Sequence, residues 1–271
     1  MQKHTHLSII ALVALSVTAC RTSTPVVQAP AAPSIPAQLA QQNVDAVIYQ
    51  HFSAEAYRLY QQGYELARIR LDDALAKPWP KTPAVVVDID ETVLDNSPYQ
   101  VTNATLGRTY TPATWKEWTA KGSAAALPGA AEFLNYAASR GCGVFYISNR
   151  ETDELGPTLR NLVEMGFPMA DTAHVLLMAG TSDKTARRNR VQETHHIILQ
   201  VGDQLTDFDQ GLKDRSVGDG KPLTDSMRDS LERHFILLPN PMYGAWLDAI
   251  TGRNMEEIPE KKQAILKKNS Y

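Results

Sequence analysis

The segment Val85-Val86-Val87-Asp88-Ile89-Asp90-Glu91-Thr92 limits the choice of fold more than any other stretch of the chain. Three β-branched residues in a row, preceded by Thr82-Pro83 and followed at once by acids, read as a short strand buried on both faces. Such strands belong to parallel sheets covered by helices on both sides. Groups just beyond the carboxyl ends of parallel strands line the crevice where ligands bind. Side chains alternate along a strand, so extended backbone past Val87 would set the carboxylates of Asp88 and Asp90 on one side and return Ile89 to the core. Two carboxylates in one pocket repel each other, so one takes a proton or a cation sits between them. A nucleophile beside a general acid suits the first outcome, and Mg²⁺ with oxygen ligands suits the second. An acid-rich turn accounts for the same residues, because Asp is common where strands end and D-x-D is short.

Apolar runs return at Val144 to Ile147, Val175 to Met178, Ile197 to Val201 and Phe235 to Leu238, with helical patterns between them. Pro128 to Ser139 opens on proline and closes before Gly141, Pro157 to Met165 closes at Gly166, and Ser182-Asp183-Lys184 caps a helix running toward Glu193. This alternation predicts an α/β fold with an open, doubly wound, mostly parallel sheet. Upstream, apolar residues from Val44 to Leu75 recur at three- and four-residue steps. They predict one long amphipathic helix or a pair broken near Gly63, ended by Lys77-Pro78-Trp79-Pro80.

With 271 residues and 43% hydrophobic content the chain can bury one core and a smaller subdomain. A formal net charge of −3 and the lack of a basic run argue against polymeric nucleic acid as a partner. Residues 1–19 resemble a bacterial lipoprotein signal peptide: Lys3, an apolar stretch from Leu7 to Val17 too short for a mature span, then Val17-Thr18-Ala19-Cys20. Lipid on Cys20 would tie the protein to the membrane, and Arg21 in place of Asp resembles the pattern of lipoproteins sorted to the outer membrane of the bacterial envelope. An ordinary secretory signal is the alternative. Residues 20–42 are Pro, Ala, Gln, Ser and Thr-rich and are expected to form a flexible tether, leaving 43–271 as the folded domain. With Cys20 acylated, Cys142 has no disulfide partner and is read as buried packing.

Each later strand ends in a group that phosphate oxygens or Mg²⁺ would use. Ser148-Asn149-Arg150 follows the second strand, Lys184 the third, and Gly202-Asp203 with Asp207 the fourth. Singly these are a turn serine, a surface lysine and an N-cap aspartate. Their order at successive strand ends is harder to assign to chance. The stretches Val86 to Tyr99 (VVDIDETVLDNSPY) and Ile198 to Phe208 (ILQVGDQLTDF) resemble the two signatures of the class C bacterial nonspecific acid phosphatases, within the haloacid dehalogenase superfamily. Gln204 departs from the pattern, which has Asn or Thr there. The resemblance covers roughly residues 43–250.

That resemblance implies a Mg²⁺-dependent acid phosphatase acting on small phosphomonoesters, held in the outer membrane by lipid, with a homodimer suggested by the class. Asp88 would attack phosphorus and become an aspartyl-phosphate, and Asp90 would serve as general acid and then base. One Mg²⁺ would take carboxylate oxygens of Asp88 and Asp203 and the backbone carbonyl of Asp90, with Asp207 orienting its waters. Thr92, Ser148, Asn149 and Lys184 would hold the phosphoryl oxygens; Arg150 is a weaker candidate for that role or the partner of an acid. Trp115 and Tyr243 would sandwich an aromatic leaving group, favouring 5′-nucleotides and aryl phosphates, while Trp118 and Trp246 are read as core aromatics. A small helical subdomain drawn from 43–80, 96–121 and part of 241–271 would cover the strand ends of an α/β core at about 81–240. From another class, a surface lipoprotein that mainly binds a ligand or host component, with residual phosphatase activity, also fits the leader; intact Asp88, Asp90, Lys184 and Asp203 argue against it.

Overall fold

The structure, a computed structural model, describes residues 32–271; the leader, Cys20 and the tether as far as residue 31 lie outside the described residues. Helices α1 (Ile35–Gln42), α2 (Val44–Phe52) and α3 (Ala54–Leu75) precede β1 (Thr82–Val87). An excursion follows through β2 (Leu94–Asp95), α4 (Ser97–Thr105), α5 (Pro112–Thr119) and β3 (Ala125–Ala126). The chain then runs through α6 (Ala130–Ser139), β4 (Gly143–Glu151), α7 (Leu155–Glu164), β5 (Val175–Met178), α8 (Thr185–Thr194), β6 (His195–Gly202) and α9 (Leu205–Phe208). It closes with α10 (Lys221–Ser226), α11 (Arg228–Arg233), β7 (Phe235–Leu237), α12 (Ala245–Thr251) and α13 (Ile258–Lys268).

The main sheet has five strands in the order β5-β4-β1-β6-β7, and every neighbouring pair is parallel. The valine run is its central strand. Val85 and Val87 enter the larger hydrophobic cluster on one face with Val144 and Tyr146, while Ala84 and Val86 enter the smaller cluster on the other with Phe145, Ile147 and Val191. Burial on both faces is what a continuous Val run can supply, at about 1.5–3 kcal/mol for each fully buried side chain. A separate antiparallel pair, β2 with β3, closes the base of the excursion.

Three expectations are corrected. The helix pair breaks at Ser53, which has extended φ/ψ and caps α3 through Oγ to the Ala56 N–H, not at Gly63. Gly63 lies inside α3, where a Cβ would fall 2.4 Å from Cδ2 of Leu238, so glycine there answers to close packing against β7's exit. The tether is shorter than expected, because Ile35–Gln42 is helical: Ser34 caps it, Pro36 starts it, and Leu39 and Ala40 are buried as it packs against α4 and α13. Finally, α3 belongs to the core layer and not to the helical cover, since Tyr60, Tyr64, Ala67 and Leu71 form a buried stripe in the main cluster. The cover comprises α1, α2 and α4, joined by α13 through α1. Cys142 is buried as expected, and burial pushes its thiol up to about 11.

Candidate active site

A cleft of about 860 Å³ opens at the carboxyl ends of β1, β4 and β6 and is lined by Asp88, Asp90, Asn149, Arg150, Lys184, Asp203 and Asp207 among others. Its floor follows from how β1 ends. The Asp88 N–H still donates to the Val201 carbonyl of β6 at 3.0 Å, so the strand's last ladder bond delivers this carboxylate. Ile89 then turns into the core, and its carbonyl accepts from Val93 and Leu94 at 2.9 Å each. That tight return places Glu91 at a φ of 56°, in the left-handed region. Glu91 is fully buried; burial, with the nearby charges of Asp90, Asp203 and Asp95, raises its carboxyl well above the ordinary range, and its Oε1 accepts from the Asn96 N–H at 2.9 Å. Glu91 therefore braces the turn through that bond.

Asp88 and Asp90 emerge on one side, as alternation predicts, but they have different partners. Lys184, 3% exposed, donates to Asp88 and to Asp207 Oδ1, the latter at 2.8 Å. Asp90 is held by Arg150, whose Nη2 lies 2.7 Å and Nε 3.0 Å from Oδ1, by Asn96 Nδ2 at 2.9 Å and by Ser148 Oγ at 3.2 Å. Of the two roles considered for Arg150, the ion pair is the one observed. Its guanidinium carbon also lies 5.9 Å from the centre of the Trp115 ring.

Carboxylate oxygens of Asp88, Asp203 and Asp207 lie within 4.8 Å of one another. Burial is the main cause raising Asp88 well above the ordinary carboxylate range; Asp207, Asp203 and Asp90 add to it, and Lys184 opposes it. Burial and Asp207 push Asp203 up to about 7, against the hydrogen bonds from Asn240 and Gln204 and the Lys184 charge. Among the described residues lining this cleft, Asp88, Asp90, Asp203 and Asp207 are accompanied by two buried cations, Lys184 and Arg150. An all-oxygen cluster with excess negative charge suits a hard divalent cation.

The remaining expected residues divide. Asn149 and Tyr243 line the cleft, as does Trp115, which packs edge-on against Tyr99 at 5.3 Å. Thr92 is corrected: it is fully buried, its Oγ1 has no partner, and it is absent from the cleft lining, so its hydroxyl is not presented to a phosphoryl group. Ser148 is likewise buried, and its hydroxyl serves Asp90 and the Arg150 N–H rather than the open cleft. Trp118 packs on the main cluster as expected, and its indole N–H also holds Asn96 Oδ1 at 2.7 Å. Trp246 is corrected: it is only partly buried and braces a loop by donating to the carbonyls of Asn240 and Tyr243.

Three contributors escaped the sequence reading. Arg187 donates to the Ser148 carbonyl and, at 2.7 Å, to Asn149 Oδ1, which leaves the Asn149 NH₂ free of that bond; its place one helical turn after Lys184 was the available signal. Asn240, between two prolines, donates to Asp203 Oδ2 at 2.8 Å. The Tyr60 hydroxyl lies between two carbonyls, 2.7 Å from that of Pro239 and 3.1 Å from that of Glu91, so its single proton is shared between the first strand's exit and the last's.

A parallel α/β sheet whose strand ends gather carboxylates, a lysine and an arginine beneath a helical cover defines a haloacid-dehalogenase-like fold and site. Residues 3–246 match the family described as HAD superfamily, subfamily IIIB (Acid phosphatase), and the chain belongs to it. The structure of the class C acid phosphatase from Bacillus anthracis is similar, with 39% identity, a TM-score of 0.80, and coverage of 86% of this chain and 98% of that one. A second structure of that enzyme, with tungstate bound, matches at 38% identity and a TM-score of 0.79 over 86% of this chain and 98% of that one. Among sequence relatives, the stem 31 kDa glycoprotein of Glycine max is 29% identical over 164 residues, 58% of each chain. This chain therefore spans little more than half of that relative's length.

Proposed function

We propose that this protein is a Mg²⁺-dependent phosphomonoesterase that transfers the phosphoryl group to Asp88 and then to water. The observation that carries the reading is the convergence of Asp88, Asp203 and Asp207 within 4.8 Å around Lys184. An oxygen of the Asp88 carboxylate forms the new bond to phosphorus as the ester P–O bond breaks, and the departing oxygen takes a proton from Asp90. Asp90 then accepts a proton from the water that cleaves the aspartyl-phosphate, releasing phosphate. Lys184 offsets charge at Asp88, and Asn149, oriented by Arg187, donates to phosphoryl oxygens. Mg²⁺ would be held by Asp88, Asp203 and the backbone carbonyl of Asp90, with Asp207 orienting its waters, and would neutralise developing charge on the phosphoryl group. Tungstate bound to the similar Bacillus anthracis enzyme supports a tetrahedral oxyanion as ligand. The test is hydrolysis of p-nitrophenyl phosphate across pH, with and without Mg²⁺. Wild type is expected to need the cation, and Asp88→Asn to lose several orders of magnitude in kcat; full activity in Asp88→Asn sinks the mechanism.

Trp115 and Tyr243 line the cleft and support an aromatic leaving group, hence 5′-nucleotides and aryl phosphates. Tyr243→Ala should raise KM for a nucleotide more than for an aliphatic phosphate. The leader supports an outer-membrane lipoprotein acylated on Cys20; Cys20→Ser should move the protein from the membrane to the soluble fraction.

A further inference from the structure

Asp203 spends one oxygen on two amides. Its Oδ2 accepts from Gln204 Nε2 at 2.6 Å and from Asn240 Nδ2 at 2.8 Å. Each amide is also engaged at its other end by the same short loop. Gln204 Oε1 accepts from the Ala245 N–H at 2.9 Å, and Asn240 Oδ1 accepts from the N–H groups of Met242 at 3.0 Å and Tyr243 at 3.4 Å. Gly244, at a φ of 139°, leaves the room this needs: a Cβ there would fall 2.3 Å from Gln204 Oε1. The loop bearing Tyr243 is thus gripped on both sides of that residue by two side chains that also grip one carboxylate.

We infer that Gln204 and Asn240 are positioning residues that couple cation binding at Asp203 to the grip of Tyr243 on an aromatic leaving group. An amide is planar and rigid, with donor and acceptor fixed relative to each other. A cation that fixes the other oxygen of Asp203 fixes Oδ2, and through the two amides it fixes the backbone of Met242, Tyr243 and Ala245. Coupling of this kind is reciprocal, so an aromatic ring held by Tyr243 tightens the cation site to the same degree. Gln204 reaches both ends at once, Asp203 Oδ2 through its Nε2 and the Ala245 N–H through its Oε1, which gives a use to the glutamine at this position.

The inference rests on the reading of Tyr243 as part of the leaving-group site, and the experiment separates the two. The probe is 5′-deoxyadenosine, which carries neither phosphate nor a 5′-hydroxyl and offers the cation no ligand there. Its dissociation constant is measured calorimetrically on the full chain, in EDTA and in saturating Mg²⁺. Wild type is expected to bind it on the order of five-fold more tightly with Mg²⁺. Gln204→Met, similar in shape without the amide, should show a smaller Mg²⁺ effect than wild type, since Asn240 keeps its own link from Asp203 to Met242 and Tyr243; an Mg²⁺ effect as large as in wild type overturns the part given to Gln204. Binding that Tyr243→Ala weakens but Mg²⁺ leaves unchanged in wild type overturns the coupling alone. Binding that Tyr243→Ala does not weaken, or no binding at all, overturns the leaving-group reading and the coupling with it. The wild-type comparison stands by itself if Gln204→Met fails to fold.

Discussion

Arg150 holds Asp90 through two nitrogens while its Nη1 donates to Thr158 Oγ1 at 3.1 Å, so the guanidinium is fixed by the fold before any substrate arrives. Its work is then to aim Asp90. In Arg150→Met the apolar stem is kept and Asp90 retains only Asn96 and Ser148. Misplacement of a proton donor on this scale costs roughly 10²-fold in rate. The loss should appear in kcat for an alkyl phosphate, whose leaving oxygen needs a proton, and be much smaller for p-nitrophenyl phosphate, whose leaving group does not. An equal loss on both would place Arg150 at the phosphoryl group instead. At this scale the sequence exposed Asp88, Asp90 and Asp203, which come within three residues of a strand's end, and Lys184, which stands at the start of a helix after one. It did not show which of them pair, because Ser148, Asn149 and Arg150 lie within β4, whose extension to Glu151 sets alternate side chains on opposite sides. Nor could it show Asn240, whose role depends on β7 lying beside β6.

The first turn of the site is supported from below by one helix. Tyr64 of α3 donates to the Thr92 carbonyl at 2.6 Å, and Tyr60, one turn earlier, reaches the Glu91 carbonyl at 3.1 Å. Both rings are buried in the main cluster. Tyr64→Phe leaves the packing and strands a buried carbonyl, so urea denaturation should show a loss of about 1–3 kcal/mol. Activity should fall too, since the same turn carries Asp88 and Asp90; an unchanged midpoint would mean the bond is replaced. The element order was legible from short continuous apolar runs such as Val85 to Val87 and from capped helical patterns, which report local backbone preference. What α3 packs against was not. An amphipathic stripe states that a helix has a partner and leaves the partner to tertiary geometry, and for α3 the partners are α6, α2 and the strands β6 and β7. The same limit hid α1, whose short run of Pro, Ala and Gln reads as linker until α4 and α13 are seen to cover Leu39 and Ala40.

For the whole molecule, the acid cluster makes stability depend on pH and cation together. Without a cation Asp203 holds its proton up to about 7, and Asp88 is also raised, whereas in the unfolded chain both ionise near 4. The folded state therefore binds more protons between those values, and this contribution to stability is complete below about 4 and is lost as pH rises toward 7. Mg²⁺ competes with those protons. The rise in Tm on adding saturating Mg²⁺ should be larger at pH 7 than at pH 5, read by thermal denaturation; equal rises would contradict the assignment of the cluster. The sheet order carries a different consequence, for the time course of folding. β1 is made first among the strands yet sits between β4 and β6, with Val87 beside Tyr146 on one side and Thr82 beside His195 on the other. A chain emerging amino end first can satisfy neither edge of its central strand until long loops close, and loop closure costs entropy before it is rewarded. The Val-rich strand that ends buried on both faces of the sheet is therefore left without either neighbouring strand for much of synthesis.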